Sequence, residues 1–109
     1  MAIDEEKLAE LKKKHGEDLV VVELSDGRSF AFRAAKASDW RKHRAMAIQV
    51  VSKPDVAAIA GEMAGRDLCV WPDKAAFDAL RDEAPAIATE IGEGLIAKVG
   101  EKITGRVGE

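Results

Sequence analysis

The stretch from Leu68 to Leu95, LCVWPDKAAFDALRDEAPAIATEIGEGL, constrains this chain most. Four apolar residues, Leu68, Cys69, Val70 and Trp71, lead into Pro72, which has no amide hydrogen for a helix ladder and disfavours helical dihedrals in the residue before it. A helix should therefore stop near Trp71. Asp73 then offers a side-chain oxygen to the open amides of a new helix, and Phe77, Leu80 and Ala84 give that helix one apolar face. Pro85 suits the first turn of a further helix. The spacing predicts two helices joined by one bend, and the stretch carries no catalytic signature.

With 109 residues the chain can bury a core as a single domain without metals or disulfides. Its one cysteine, Cys69, lies in an apolar run and reads as a buried small hydrophobe. No apolar run approaches the roughly 18 residues of a membrane span, and the N-terminus, MAIDEEKLAE, is acidic and polar where a signal peptide is basic and then apolar. These features point to the cytoplasm and to no membrane partner. Net charge is −3 but uneven, with 11 Lys/Arg against 9 Asp/Glu in residues 1–53 and 6 against 11 in residues 54–109. That asymmetry suits head-to-tail self-association and is too small for a nucleic-acid footprint.

Before the central stretch, Ile3, Leu8 and Leu11 share one side of a predicted helix over 4–14, with acids at its start, lysines at its end and Gly16 to stop it. Residues 18–34, DLVVVELSDGRSFAFRA, read as a β-hairpin around Asp26-Gly27. A two-residue turn there would put apolar residues on both faces. A three-residue loop, Ser25-Asp26-Gly27, instead pairs Val22 with Phe30 and Val20 with Phe32, gathering the large side chains on one face. That register is the one expected, and the exposed edge it leaves could accept strands from a partner.

Ser38 should cap a helix from Asp39 to about Ser52, with Trp40, His43, Ala47, Val50 and Val51 inward and Arg41, Lys42 and Arg44 outward. Lys53-Pro54-Asp55 breaks the chain, and a helix from Val56 follows, with a weak point expected between Gly65 and Asp67. Gly61 and Gly65, four apart among alanines, allow another backbone to approach closely. The last helix, Pro85 to about Lys102, carries Ile87, Ile91, Leu95 and Val99 at four-residue spacing but is loosened by Gly92, Gly94 and Gly100. It should be held by packing. The tail over 103–109 should fray. The fold class expected is α+β, one antiparallel hairpin packed with four or five helices.

No phosphate loop, nucleophile elbow or paired metal-ligand spacing is present in the sequence, so no catalytic residue, metal ligand or cofactor site is assigned and the chain reads as non-enzymatic. The basic run RKHR reads as a solvated helix face. Trp40, Val70, Trp71, Ile91 and Leu95 are the candidate core or interface residues.

Taken as a layout, LSDGRSFAFRAAKASDWRKHR followed about 25 residues later by LCVWPDKAAFDALRDEAPAIATEIGEGLIAKVG resembles the tail assembly chaperones of tailed bacteriophages. The matching residues are Asp26 and Gly27, Phe30 to Arg33, Trp40, Val70-Trp71-Pro72, Phe77, Leu80, Pro85, Ile91-Gly92 and Leu95. The resemblance implies a protein that binds the long tape measure protein in the host cytoplasm, keeps it soluble and leaves as the tail tube forms. The same layout fits a small structural tail or virion component, and, less well, a nucleic-acid-binding module using Arg41, Lys42 and Arg44.

Overall fold

In the computed structural model, which describes residues 3–101, the hairpin forms with the three-residue loop. Strand β1 (Val20–Glu23) pairs antiparallel with β2 (Ser29–Phe32), with Val22 opposite Phe30 and Val20 opposite Phe32. The Leu24 amide donates to the Arg28 carbonyl at 2.8 Å, and Gly27 between them has φ 94°, a conformation that costs a side-chain-bearing residue strain. Ahead of the hairpin, helix α1 (Glu5–His15) is capped by Asp4, whose carboxylate accepts from the Lys7 amide at 2.7 Å.

The sheet has a third strand that the sequence reading did not foresee. Cys69–Trp71 forms β3, antiparallel to β2, so the order is β1-β2-β3 and β2 is central. Helix α3 (Pro54–Leu68) therefore stops at Leu68, three residues before the predicted end near Trp71. The restriction that Pro72 places on Trp71 propagates backward as extended backbone, because β2 offers it a ladder; the Arg33 amide donates to the Leu68 carbonyl at 3.0 Å where the two elements join. Three residues are too short to show an alternating pattern.

Helix α2 spans Ala37–Ala47, beginning earlier and ending sooner than the expected 39–52. Ser38 does not cap it. Lys36 is the N-cap, and its backbone amide donates to the Asp39 carboxylate at 2.8 Å. The early end leaves Val50 and Val51 in a turn, 63% and 97% exposed, and Trp40 is 43% exposed; all three were expected to face inward. Of the five residues assigned to that inner face, only His43 is buried, while Ala47 is half-buried.

The expected break between Gly65 and Asp67 is absent, since α3 runs on without interruption. Its end is held by Lys74, whose Nζ donates to the carbonyls of Arg66 and Asp67 at 2.9 Å each and of Cys69 at 3.2 Å, a lysine doing what a capping glycine often does. Asp73 caps α4 (Lys74–Glu83) as expected, accepting from the Ala76 amide at 2.7 Å, and Pro85 opens α5 (Pro85–Ala97). The last helix stops at Ala97, short of the expected Lys102, and its Ile87 is 40% exposed. The expected frayed tail lies outside the described residues.

Among the described residues, β2, β3, α3, α4 and α5 supply the buried core cluster. Phe30 and Phe32 from β2 meet Phe77 of α4 edge-on, with ring centroids 5.8 and 5.7 Å apart, the arrangement that aligns ring edges with ring faces. Val20 and Val22 of β1, and Leu24 just after it, pack against this cluster. Gly65 makes room for the ring: a Cβ there would lie 2.5 Å from Phe77 Cζ. Gly92 of α5 fits against Gly61 of α3 so closely that a Cβ at Gly92 would fall on the Gly61 carbonyl. The close approach suggested by the glycine spacing is thus made within the domain, by α5.

Candidate functional site

Helix α2 is held on its inner side by three ties. The Arg33 guanidinium, just past β2, grips Asp39 with both terminal nitrogens, at 3.0 and 3.1 Å. Lys42 reaches Asp67 of α3 at 2.8 Å. His43, 8% exposed, turns toward α5, where Glu93 Oε2 lies 3.1 Å from its Nε2, although neither ring nitrogen makes an aligned hydrogen bond. The Asp39 carboxyl is held below its ordinary range, chiefly by Arg33 and then by the Lys36 amide, against a raising effect of burial.

The outer side of α2 has a different character. Trp40, Arg44 and Ile48 follow one another at four-residue spacing, with Arg41 beside Trp40, and the Arg44 guanidinium carbon sits 5.7 Å from the Trp40 ring centroid. Four of the six exposed large hydrophobic residues, Trp40, Ile48, Val50 and Val51, fall within these twelve positions, 40–51; the other two, Val21 and Ile87, lie elsewhere. Among the described residues Arg28, Arg33, Arg66 and Arg81 each hold a carboxylate, whereas Arg41 and Arg44 hold none. Exposed apolar side chains and uncommitted guanidinium groups therefore fall together in α2 and the turn that follows it. Tryptophan and arginine are the side chains most enriched where protein partners bind tightly.

The other candidate residues are not gathered there. Val70 and Trp71 are half-buried on β3, Ile91 packs half-buried against the core, and Leu95 is core at 3% exposed. Leu95 also lines a cleft of about 460 Å³ with Leu19, Val20 and Val99, to which Asp18, Lys98 and Glu101 add charge. Trp40 stands alone of the five on an exposed surface. The α2 face escaped sequence reasoning because a helix continued to Ser52 would turn Val50 and Val51 inward. The β-branched pair just ahead of Ser52-Lys53-Pro54 was the available signal that the helix ends early.

The remaining polar clusters are structural in geometry. Asp78 accepts from Arg66 Nε at 2.9 Å and from Arg81 at 2.9 Å, while Arg81 also reaches Glu62 at 3.2 Å, tying α3 to α4. Both arginines lower the Asp78 carboxyl, Arg66 more strongly. Burial pushes the Cys69 thiol up, and its sulfur lies 3.5 Å from the Trp71 carbonyl and 3.6 Å from that of Asp73, the opposite of a thiolate environment. No group of three or more His, Cys, Asp or Glu among the described residues could hold a metal ion, and no helix there is long and apolar enough to cross a membrane. Comparison of the chain with protein-family models, with curated proteins and with solved structures gave no match.

Proposed function

We propose that this protein is a non-enzymatic assembly chaperone of the phage-tail type, which binds a long helical client, the tape measure protein, and keeps it soluble until the tail tube forms around it. The observation that carries the reading is the outer side of α2 and the turn after it, where exposed Trp40, Ile48, Val50 and Val51 occur with two arginines that hold no carboxylate among the described residues. A face of that kind is a place for another protein. Exposed single side chains of this kind suit many modest contacts repeated along an extended client. The features that carry the resemblance, the hairpin, the Trp71-Pro72 step and the helix started by Pro85, support this reading.

The glycine-bearing surfaces of α3 and α5 meet each other and play no part in the proposal. The test is co-expression with a long helical tape measure protein, which the reading expects a neighbouring gene to encode. The soluble fraction of the client should rise with the chaperone present and fall back with Trp40→Ala and Ile48→Ser combined. A client equally soluble without this protein would defeat the reading. So would persistence of the protein in purified mature particles, measured by mass spectrometry, because that is the behaviour of a structural tail component.

A further inference from the structure

We infer that the outer face of α2 recognises an acidic amphipathic helix, one that sets carboxylates beside a row of aliphatic side chains. This rests on the proposal that the face takes a protein partner, but not on that partner's belonging to a phage tail. The Arg44 guanidinium carbon lies over the Trp40 ring, 5.7 Å from its centroid, and its N–H donors, in the fork that matches a carboxylate, hold no carboxylate among the described residues. Arg41 lies on the next helical step with its charge likewise uncommitted among the described residues.

The partner's form follows from what the face presents. A helix side offers no free backbone amides or carbonyls to an added strand, whereas Trp40, Arg44 and Ile48 at four-residue spacing form a ridge that the side-chain rows of another helix can straddle. Val50 and Val51 close one end of that ridge with exposed aliphatic surface. Nucleic acid suits it less. Lys42, the third cation of the run, is already held by Asp67 at 2.8 Å, and Ile48, Val50 and Val51 have no counterpart on a phosphate backbone. The net charge of −3 also opposes a polyanion at long range.

The experiment uses two fluorescent helical peptides about three heptads long, with leucine at the a and d positions and either glutamate or lysine at the flanking positions. Fluorescence anisotropy against the full chain should show the glutamate peptide binding at least about tenfold more tightly than the lysine peptide. The double variant Arg41→Glu/Arg44→Glu should reverse that order, with its circular dichroism and melting temperature unchanged, and Trp40→Ala should weaken the glutamate peptide without reversing it. Equal binding of both peptides, or of neither, would overturn the inference. Retention of a duplex DNA probe that is lost in the double variant would overturn it in favour of nucleic acid. If the chain self-associates and the double variant dissociates it, as seen by light scattering, the face belongs to a second copy and the inference also falls. Peptide binding without client solubilisation would leave this chemistry standing and remove the tail-chaperone reading alone.

Discussion

Two glycines two residues apart in α5 should respond to alanine in opposite directions. At Gly94 an added Cβ would meet nothing within 4 Å, so Gly94→Ala removes only the conformational freedom of glycine in a helix interior, a gain of about 0.5–1 kcal/mol. At Gly92 the same methyl group would fall on the Gly61 carbonyl and stand 3.0 Å from the Gly65 amide nitrogen. Both obstacles are backbone, so no side-chain rotation relieves them. Whole helices must separate, at a site where Phe77 and Thr89 already fill the spaces around Gly65 and Gly61. Overpacking of this kind costs about 1–3 kcal/mol or more, and the propensity gain offsets less than about 1 kcal/mol of it. The net loss is about 2 kcal/mol, or roughly 10 °C in melting temperature for a domain of this size. Thermal melts followed by circular dichroism, with urea midpoints alongside, measure both variants. If Gly92→Ala melts within a degree or two of the parent, the α3–α5 crossing is not as close as described and the reasoning fails.

Other consequences follow from single side chains. Asp39 has a lowered carboxyl pKa in the folded state, so its contribution is complete above the unfolded value of about 3.9 and is lost as pH falls through the lower folded value. Asp39→Asn should therefore make urea midpoints less sensitive to acid over that interval, and an unchanged acid limb would contradict the Arg33 pairing. Asp73→Ala removes the α4 cap and should cost about 1 kcal/mol, read as a lower urea midpoint with an unchanged m-value. Phe77→Ala opens the aromatic cluster and should cost about 3–5 kcal/mol; a thermally stable variant would show that the three rings are not the centre of the core. The uncharged pair Arg41→Gln/Arg44→Gln should leave the stability from urea midpoints within about 0.5 kcal/mol of the parent, as for exposed residues away from structural features.

Much of the fold could be read from residue types because local chemistry and packing agree. The hairpin register followed from the need to bury Val20, Val22, Phe30 and Phe32 together, and the observed pairs of Val20 with Phe32 and Val22 with Phe30 satisfy it. The Asp73 cap and Pro85 start were equally local. The third strand was not local: Cys69–Trp71 is extended because β2 lies beside it, and nothing within three residues says so. The candidate site was less legible. Trp40 was singled out, but as an inward side chain, because one apolar stripe was carried through a helix assumed to last until Ser52. In the structure α2 ends at Ala47, and the residues beyond it lose the helical phase on which that assignment depended.

Packing turns attention from the glycine-bearing helices to α2. Gly92 seats on Gly61, so the small residues of α3 and α5 serve an internal contact. The partly buried charges follow the same pattern, because Glu62, Asp67, Asp78 and Asp39 are each drawn into ties between elements. What the fold leaves uncommitted is the α2 face. Its apolar side chains stay in water, and its arginines stay unpaired among the described residues although carboxylates outnumber cations in the chain. A surface that keeps both large apolar groups and unpaired guanidinium groups gains nothing for the isolated fold, so its composition points to a partner, and the reversal of peptide preference by Arg41→Glu/Arg44→Glu is the measurement on which that argument stands.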